Sequence, residues 1–379
     1  MTGDPVSLYI HVPFCTKKCP YCHFFVLPDS EEGKALFLKS LHQEYELRRP
    51  LLEGKTLVSI YFGGGTPSLL HPREIEALIQ KIYQSPLSMA PSCEITLEAN
   101  PEQVSLQLMK QFAKAGINRV SLGVQSFDDL LLKTLGRTHD VAKAKRAIDA
   151  VYEAGICNIS IDLMYELPHQ TLLQWEHSLQ QVALLPITHL SLYNLVFELG
   201  TVFYKKKKLL DRSLPSEEES LAMLTLAVER LEHLGLKRYE ISAFAKEGFA
   251  SVHNSGYWTA RPFLGLGPSA FSYLEGRRFR NVAHLGRYAE SLEKGMICED
   301  FEETLSPSSR QKELLAVELR LLRGVDLSQF QQKLGPLSSS LQSSIRSLGQ
   351  KGWLTQQGDR LFLTEEGLLF YDSVAAEIV

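Results

Sequence analysis

Cysteine is scarce in this chain, six in 379 residues, and three of the six fall within the eight positions from Cys15 to Cys22. Spacings that tight do not suit the loops disulfides close, so a disulfide framework is excluded and metal or redox chemistry is the better reading of the group. Cys93, Cys157 and Cys298 stand alone; Cys93 and Cys157 begin apolar strand-like runs and are expected to be buried structural thiols. Long apolar runs are also missing: none approaches the roughly 18 residues a membrane-spanning helix needs. The opening MTGDPVSLYIHVPF lacks a basic n-region and a small-residue cleavage site, so a cytoplasmic protein is expected. Positive charge is not in excess either. A net charge of -4 gives no footprint for phosphate backbones, and nucleic acid is not an expected partner. With 44% hydrophobic and 22% charged residues, the composition is that of a folded chain rather than a disordered one.

What is present is alternation. Short β-rich runs at 7–12, 57–62, 94–99, 119–124, 158–163 and 188–195 alternate with helical patterns near 31–49, 72–84, 105–115, 139–154, 171–184 and 216–234. Six such repeats predict a parallel sheet covered by helices through right-handed crossovers. The chain length suits an α/β barrel of about 200 to 250 residues with one appended domain. The polar and glycine-rich segments PFCTKKCPYC, GGGTP, NPE and QSF each follow a strand, which places the chemistry at the carboxyl ends of the strands.

Beyond the alternating region, 1–236, a connecting extension over 237–300 holds a strand-like run, KRYEISAFA, the segment HNSGYW in a loop region, and the glycine-rich PFLGLGPSAF. Those glycines follow no clean strand and open no clear helix, so a tight structural connection is expected rather than a phosphate loop. Residues 301–379 predict three helices, a hairpin turning at Gly358-Asp359 and a last helix after Thr364, a small α+β winged-helix-like domain. It carries 8 Lys+Arg against 10 Asp+Glu, too few cations for a reader of DNA.

Cys15, Cys19 and Cys22 supply three thiolates from one loop directly after a strand. Soft thiolates suit iron, and three ligands on a four-iron cube leave one iron open. Structural zinc wants four ligands, usually as two separated pairs, and His23 beside Cys22 is poorly placed to be the fourth. A bacterial ferredoxin run has a different spacing and fills every iron.

The motifs YIHVPFCTKKCPYCHF, YFGGGTPS, LEANPE, GVQSF with the later LGR, and IDLMYELPHQT resemble, in that order, the HemN/HemW branch of the radical S-adenosylmethionine (SAM) superfamily. The resemblance spans nearly the whole chain. It implies an α/β fold, a partial parallel (β/α)6 radical SAM barrel with a HemN-type C-terminal domain, and a 4Fe-4S cluster whose open iron is chelated by SAM. Reductive cleavage of that SAM would give methionine and a 5'-deoxyadenosyl radical. At the matching positions, Gly64 and Gly65 let backbone approach the methionine end of SAM, and Thr66 adds a hydroxyl. Glu98 and Gln125 are expected to hold the ribose hydroxyls and Arg137 the SAM carboxylate, with Asp162, Tyr9 and Tyr21 around cluster and cofactor. One departure is Glu166, where the family usually has glycine.

Within the branch, oxidase-type members decarboxylate coproporphyrinogen III, whereas HemW-type members are haem chaperones. The oxidase motif carries a further cysteine two positions after the third cluster cysteine, where Phe24 stands here. It also carries an N-terminal arm before the motif, whereas Tyr9 already belongs to the motif. The run His253 to Trp258 resembles the HNxxYW signature of the HemW members. The expectation is therefore a haem chaperone, with haem, an electron donor and a haem-acceptor protein, possible at a membrane, as partners. The alternative is an oxygen-independent coproporphyrinogen III dehydrogenase. The resemblance also makes His253 a candidate axial ligand of haem. The run Lys205 to Lys208 reads as a solvated loop.

Overall fold

The computed structural model describes residues 3–85 and 87–379. Six strands, β1 Pro5–Val12, β2 Thr56–Gly64, β3 Ser88–Ala99, β4 Arg119–Gln125, β5 Asn158–Tyr165 and β6 His189–Asn194, alternate with helices. The helices are α1 Glu31–Arg48, α2 Pro72–Tyr83, α3 Leu106–Lys114, α4 Val141–Glu153, α5 Leu172–Val182 and α6 Glu217–His233. Each crossover helix begins where a side chain takes up the free amide groups of its first turn. Ser30, Ser105 and Asp140 do so singly, and Thr171 and Ser216 do so within reciprocal capping boxes. All neighbouring pairs from β1 to β6 are parallel, in chain order.

Strands buried on both faces usually read as continuous apolar runs, but these alternate. Leu8, Ile10 and Val12 of β1 belong to the core under the helices, while Ser7 and Tyr9 between them bond or stack with residues of the barrel interior. Glu94, Thr96, Arg119, Ser160 and His189 are likewise buried, so the interior of the barrel is polar.

After α6 the sheet continues. The hairpin β7 Lys237–Glu240 and β8 Ala243–Ala245 adds antiparallel strands to β6, and the short helix α7 Val252–Trp258 follows. The glycine-rich run then forms β9 Phe263–Leu266, which pairs in parallel with β1 and supplies a seventh parallel strand. Three antiparallel strands, β10 Phe271–Leu274, β11 Arg277–Asn281 and β12 Glu299–Thr304, extend that edge. The full order is β12-β11-β10-β9-β1-β2-β3-β4-β5-β6-β8-β7. Two expectations are corrected here. PFLGLGPSAF is a strand as well as a connection, its glycine at 265 required because a Cβ would lie 2.0 Å from the Phe271 carbonyl oxygen. HNSGYW is a helix, not a loop, capped by Ser251.

Apolar residues of 237–300, including Phe244, Leu264, Phe279 and Leu285, merge with those of the barrel into one core, which α8 Leu285–Glu293 helps to cover. The C-terminal region has its own core, with Leu315, Leu319, Val325, Leu341, Leu348 and Val374 at its centre. It is built from α9 Pro307–Glu318, α10 Leu327–Leu334, α11 Ser339–Gln350 and α12 Tyr371–Ile378 with the small sheet β13 Val325–Asp326, β15 Arg360–Leu363, β14 Leu354–Gln357. Arg320 ties it to the barrel: its guanidinium lies 4.3 Å from the Trp258 ring centroid and 5.1 Å from that of Tyr371, and donates to Glu240 at 3.3 Å. No helix among the described residues is long and apolar enough to cross a membrane. Lys205, Lys207 and Lys208 lie on single-turn helices with Lys206 at the turn between them, and all four are exposed.

Candidate functional site

The carboxyl ends of the parallel strands open into a cleft of about 420 Å³. Cys15, Cys19, Tyr21, Cys22, Gly64, Gly65, Glu98, Gln125, Arg137 and Asp162 all line it. Of the two solitary cysteines expected to be buried, Cys93 is and Cys157 is exposed; Cys298 is half-buried. Among the described residues no three His, Cys, Asp or Glu side chains converge on a single ion. The three thiols instead surround a common space, as suits a cube that binds each thiolate through a different iron.

The cysteine loop is held by β2, β3 and β4. Thr66, 1% exposed, sits behind the loop with its hydroxyl 3.5 Å from the Cys15 sulfur. It accepts from the Asn100 amide at 2.9 Å, and the Asn100 carbonyl oxygen in turn accepts from Arg137 Nη2 at 2.5 Å. Arg137 also donates to the Gly123 carbonyl and, through Nη1, to the Cys19 sulfur at 3.3 Å. Its Nε is buried without a partner among the described residues. A charged donor against one thiol, with a further N–H unspent, fits a group bearing a carboxylate beside the cluster. Burial raises the Cys15 and Cys22 thiols; the Thr66 hydroxyl draws the first back towards the thiolate that iron requires and a backbone bond from Phe24 the second, with a smaller pull on both from Arg137.

Gly64 has φ 107°, and a Cβ there would lie 2.5 Å from the His11 ring. Its N–H donates to Glu98 Oε2 at 3.1 Å, and the Tyr61 hydroxyl donates to Glu98 Oε1 at 2.7 Å. Burial first, with the nearby charge of Asp162, pushes the Glu98 carboxyl up to about 7 in spite of those bonds. Burial likewise raises Asp162 to about 6, while Ser191, Arg119 and Ser121 favour its ionised form. Burial also opposes the charge on Glu102, but bonds from His139 and Thr138 and the charge of Arg137 outweigh it and hold that carboxyl at about 2. Gln125 ends β4 at φ 68°, a left-handed conformation that turns the chain at the cleft. The residues fit SAM: polar acceptors on β3 and β5, a glycine cradle at β2 and an arginine fork stand around one space.

Two expected site residues lie elsewhere. Tyr9 is in the barrel interior below the cleft, its hydroxyl 3.1 Å from His11 Nδ1 and its ring 6.2 Å from that of Tyr61. His253 is 1% exposed and does not line the cleft. Its Nδ1 is 2.9 Å from Ser59 Oγ and its Nε2 2.9 Å from the Tyr257 hydroxyl. With both ring nitrogens engaged, His253 has none free for a haem iron in this arrangement. Burial, then the charges of Arg261 and Arg119, lowers its pKa to about 3, so the ring is neutral. Glu166 has φ 60°, the left-handed conformation for which the family glycine is suited.

Sequence reasoning passed over Asn100, Tyr61, Glu94 and Arg119. The Asn-Pro-Glu after β3 was a usable signal for Asn100. The others sit on inward-facing strand positions, where only the unusual polarity marks them.

A three-cysteine loop at the mouth of a partial parallel barrel, with glycine, carboxylate and arginine around it, defines a radical SAM protein. Residues 9–182 match the model of the Radical SAM superfamily, and residues 305–370 match that of the HemN C-terminal domain. The chain is 34% identical over 370 residues to the heme chaperone HemW of Bacillus subtilis, covering 97% of each chain. It is 35% identical over 367 residues to HemW of Synechocystis sp., covering 94% of this chain and 87% of that one. The structure of coproporphyrinogen III oxidase (HemN) from Escherichia coli superposes with a TM-score of 0.86 at 24% identity, over 99% of this chain and 90% of that one, and so shares the fold. The chain belongs to the HemW family of the radical SAM superfamily.

Proposed function

We propose that this protein is a haem chaperone. In this reading Cys15, Cys19 and Cys22 hold a 4Fe-4S cluster, Arg137, Glu98, Gln125, Asp162 and the Gly64-Gly65 turn bind SAM, and haem is carried at the mouth of the same cleft and passed to an acceptor protein. When bound, cluster and SAM together supply reductive cleavage of the sulfonium bond, given an electron donor. The chain's own groups orient the cofactor: Arg137 through its guanidinium fork, Glu98 by accepting hydrogen bonds, and Thr66 and Asn100 by keeping the Cys15 loop and Arg137 in register.

The observation that carries the haem reading is the lip of the cleft. Phe24, Tyr193 and Val196 line it, and Phe24 and Val196 are 51% and 52% exposed. Lys17 and Lys18, both exposed, stand beside them. A flat apolar macrocycle with two carboxylates matches apolar surface flanked by ammonium groups. Phe24 also stands where the oxidase-type motif has a thiol, which speaks against coproporphyrinogen oxidation. The HemW relatives support the same reading.

One anaerobically reconstituted sample tests both readings. Haem titration is expected to give a saturable Soret change that weakens several-fold in Phe24→Asp. Incubation with SAM, reductant and coproporphyrinogen III is expected to give no protoporphyrinogen, and Phe24→Cys is not expected to confer it. Enzyme-like turnover in the second assay, or no haem binding in the first, would overturn the proposal.

A further inference from the structure

The segment HNSGYW sets this chain apart within its superfamily branch, yet the structure keeps its histidine away from the cleft. The helix α7 that carries it is anchored on the barrel strands from beneath. Glu94 of β3 accepts from the Val252 and His253 backbone N–H groups, each at 2.9 Å, and lies 3.4 Å from Ser251 Oγ. The side chain is anchored as well, through Ser59 of β2, whose hydroxyl also donates to Ser7 of β1 at 2.8 Å, and through Tyr257 one turn on. The imidazole is thus fixed in place and in orientation.

Against this fixed ring lies Tyr61. The two ring centroids are 4.9 Å apart with 32° between the planes, and Tyr9 closes the group at 6.2 Å from Tyr61 and 6.3 Å from His253. Tyr61 points its hydroxyl at Glu98 Oε1, and Glu98 lines the cleft. The chain of contact therefore runs from α7 through two packed rings to a carboxylate of the cofactor site. Two rings in close, tilted contact leave little freedom for rotation about the Tyr61 χ angles, so the donor stays aimed.

We propose that His253 is a positioning residue of the SAM site: its ring backs Tyr61, whose hydrogen bond orients Glu98 towards the cofactor and favours its carboxylate. The inference rests on the SAM-site reading above, and assigns the signature histidine to cofactor geometry instead of to haem iron. The Glu98 carboxyl is faced by Tyr61 and Gly64 N–H from β2, by Arg119 from β4 and by Asp162 from β5, with Tyr9, Tyr193 and Tyr257 also nearby. Of these, the Tyr61 hydroxyl makes its short hydrogen bond. Without an aimed donor, the proton would be held more firmly by Glu98, and SAM binding would fail at a higher pH.

The test uses the reconstituted full chain and measures SAM affinity from pH 6 to 9 together with haem binding. Tyr61→Phe keeps the ring and its packing but removes the donor, and so does not depend on the fold tolerating an emptied core. It is expected to weaken SAM binding roughly tenfold, as loss of one hydrogen bond to a charged group does, and to move the acid limb of the pH profile upward. His253→Ala is expected to shift the profile in the same direction, and the double variant to weaken binding by less than the product of the two. The Soret position with haem should match the parent in both. The inference is overturned if His253→Ala leaves SAM affinity and its pH limb as in the parent, whether or not the Soret band changes, or if Tyr61→Phe leaves SAM affinity and its pH limb unchanged. Failure of the parent to bind SAM would remove the SAM-site reading itself, a result distinct from either of these.

Discussion

At the scale of single residues, the three cysteines and the carboxylates behind them have separable signatures. Alanine at Cys15, Cys19 or Cys22 leaves two thiolates, too few to keep the cube from solvent. Iron and sulfide content and the EPR signal on reduction are expected to be lost in each, and retained when Cys93, Cys157 or Cys298 is replaced. Glu98 gives a signature in stability. Its carboxyl rises from 4.5 to about 7 on folding. The folded state thus binds this proton more tightly than the unfolded chain, and the resulting stabilisation is complete below pH 4.5 and lost as pH rises through about 7. Without SAM, parent and Glu98→Gln are expected to have similar urea midpoints at pH 5 and to separate at pH 8, with the parent lower. A constant difference would remove Glu98 as the titrating group. Glu166, at φ 60°, carries strain that glycine avoids. Glu166→Gly is expected to raise stability by about 1 kcal/mol in urea denaturation, less any added entropy of the unfolded chain.

Among the elements, the six barrel strands and their helices were legible because both periodicities are strong and each helix opens on a capping residue. The cluster loop was read from cysteine spacing, and the proposed SAM residues from the family resemblance together with their places after strands. The seventh parallel strand was not. Phe263–Leu266 is four residues long and split by Gly265, which suppresses the strand pattern, and only its partner β1, far away in the chain, makes it a strand. Helix α7 was hidden for a related reason. Its seven residues include Asn254, Ser255 and Gly256, poor helix formers, and its start depends on a carboxylate from β3. Glu94→Ala would leave those two amide groups unpaired, and is expected to cost about 3 kcal/mol, measured as a lowered urea midpoint. A loss below about 1 kcal/mol would mean that the helix start is held by Ser251 alone.

For the whole molecule, the notable arrangement is two cores joined by backbone bonds between residues 239–241 and 320–322 and by a few side chains. Arg320 stacks on Trp258 of α7 and on Tyr371 of α12 while pairing with Glu240, so one guanidinium spans the signature helix, the edge hairpin and the C-terminal region. Arg320→Ala is expected to lower stability by about 2 kcal/mol and to separate thermal unfolding into two transitions, one for each core. A single calorimetric transition in that variant would show that the cores are coupled by more than this joint.

The parallel pairing of β9 with β1 has a consequence for how the protein is made. The strand that leads into the cluster loop is made before either of its sheet neighbours, and β2, on one side, follows within about sixty residues at the usual pace of synthesis. Its neighbour on the other side, Phe263–Leu266, comes only after more than two thirds of the chain. Until then β1 presents a bare edge to the cell, of the kind that recruits other strands. Nascent chains that stall before residue 263 are therefore the aggregation-prone species, and iron delivered to the cysteines at that stage would enter a half-walled vessel.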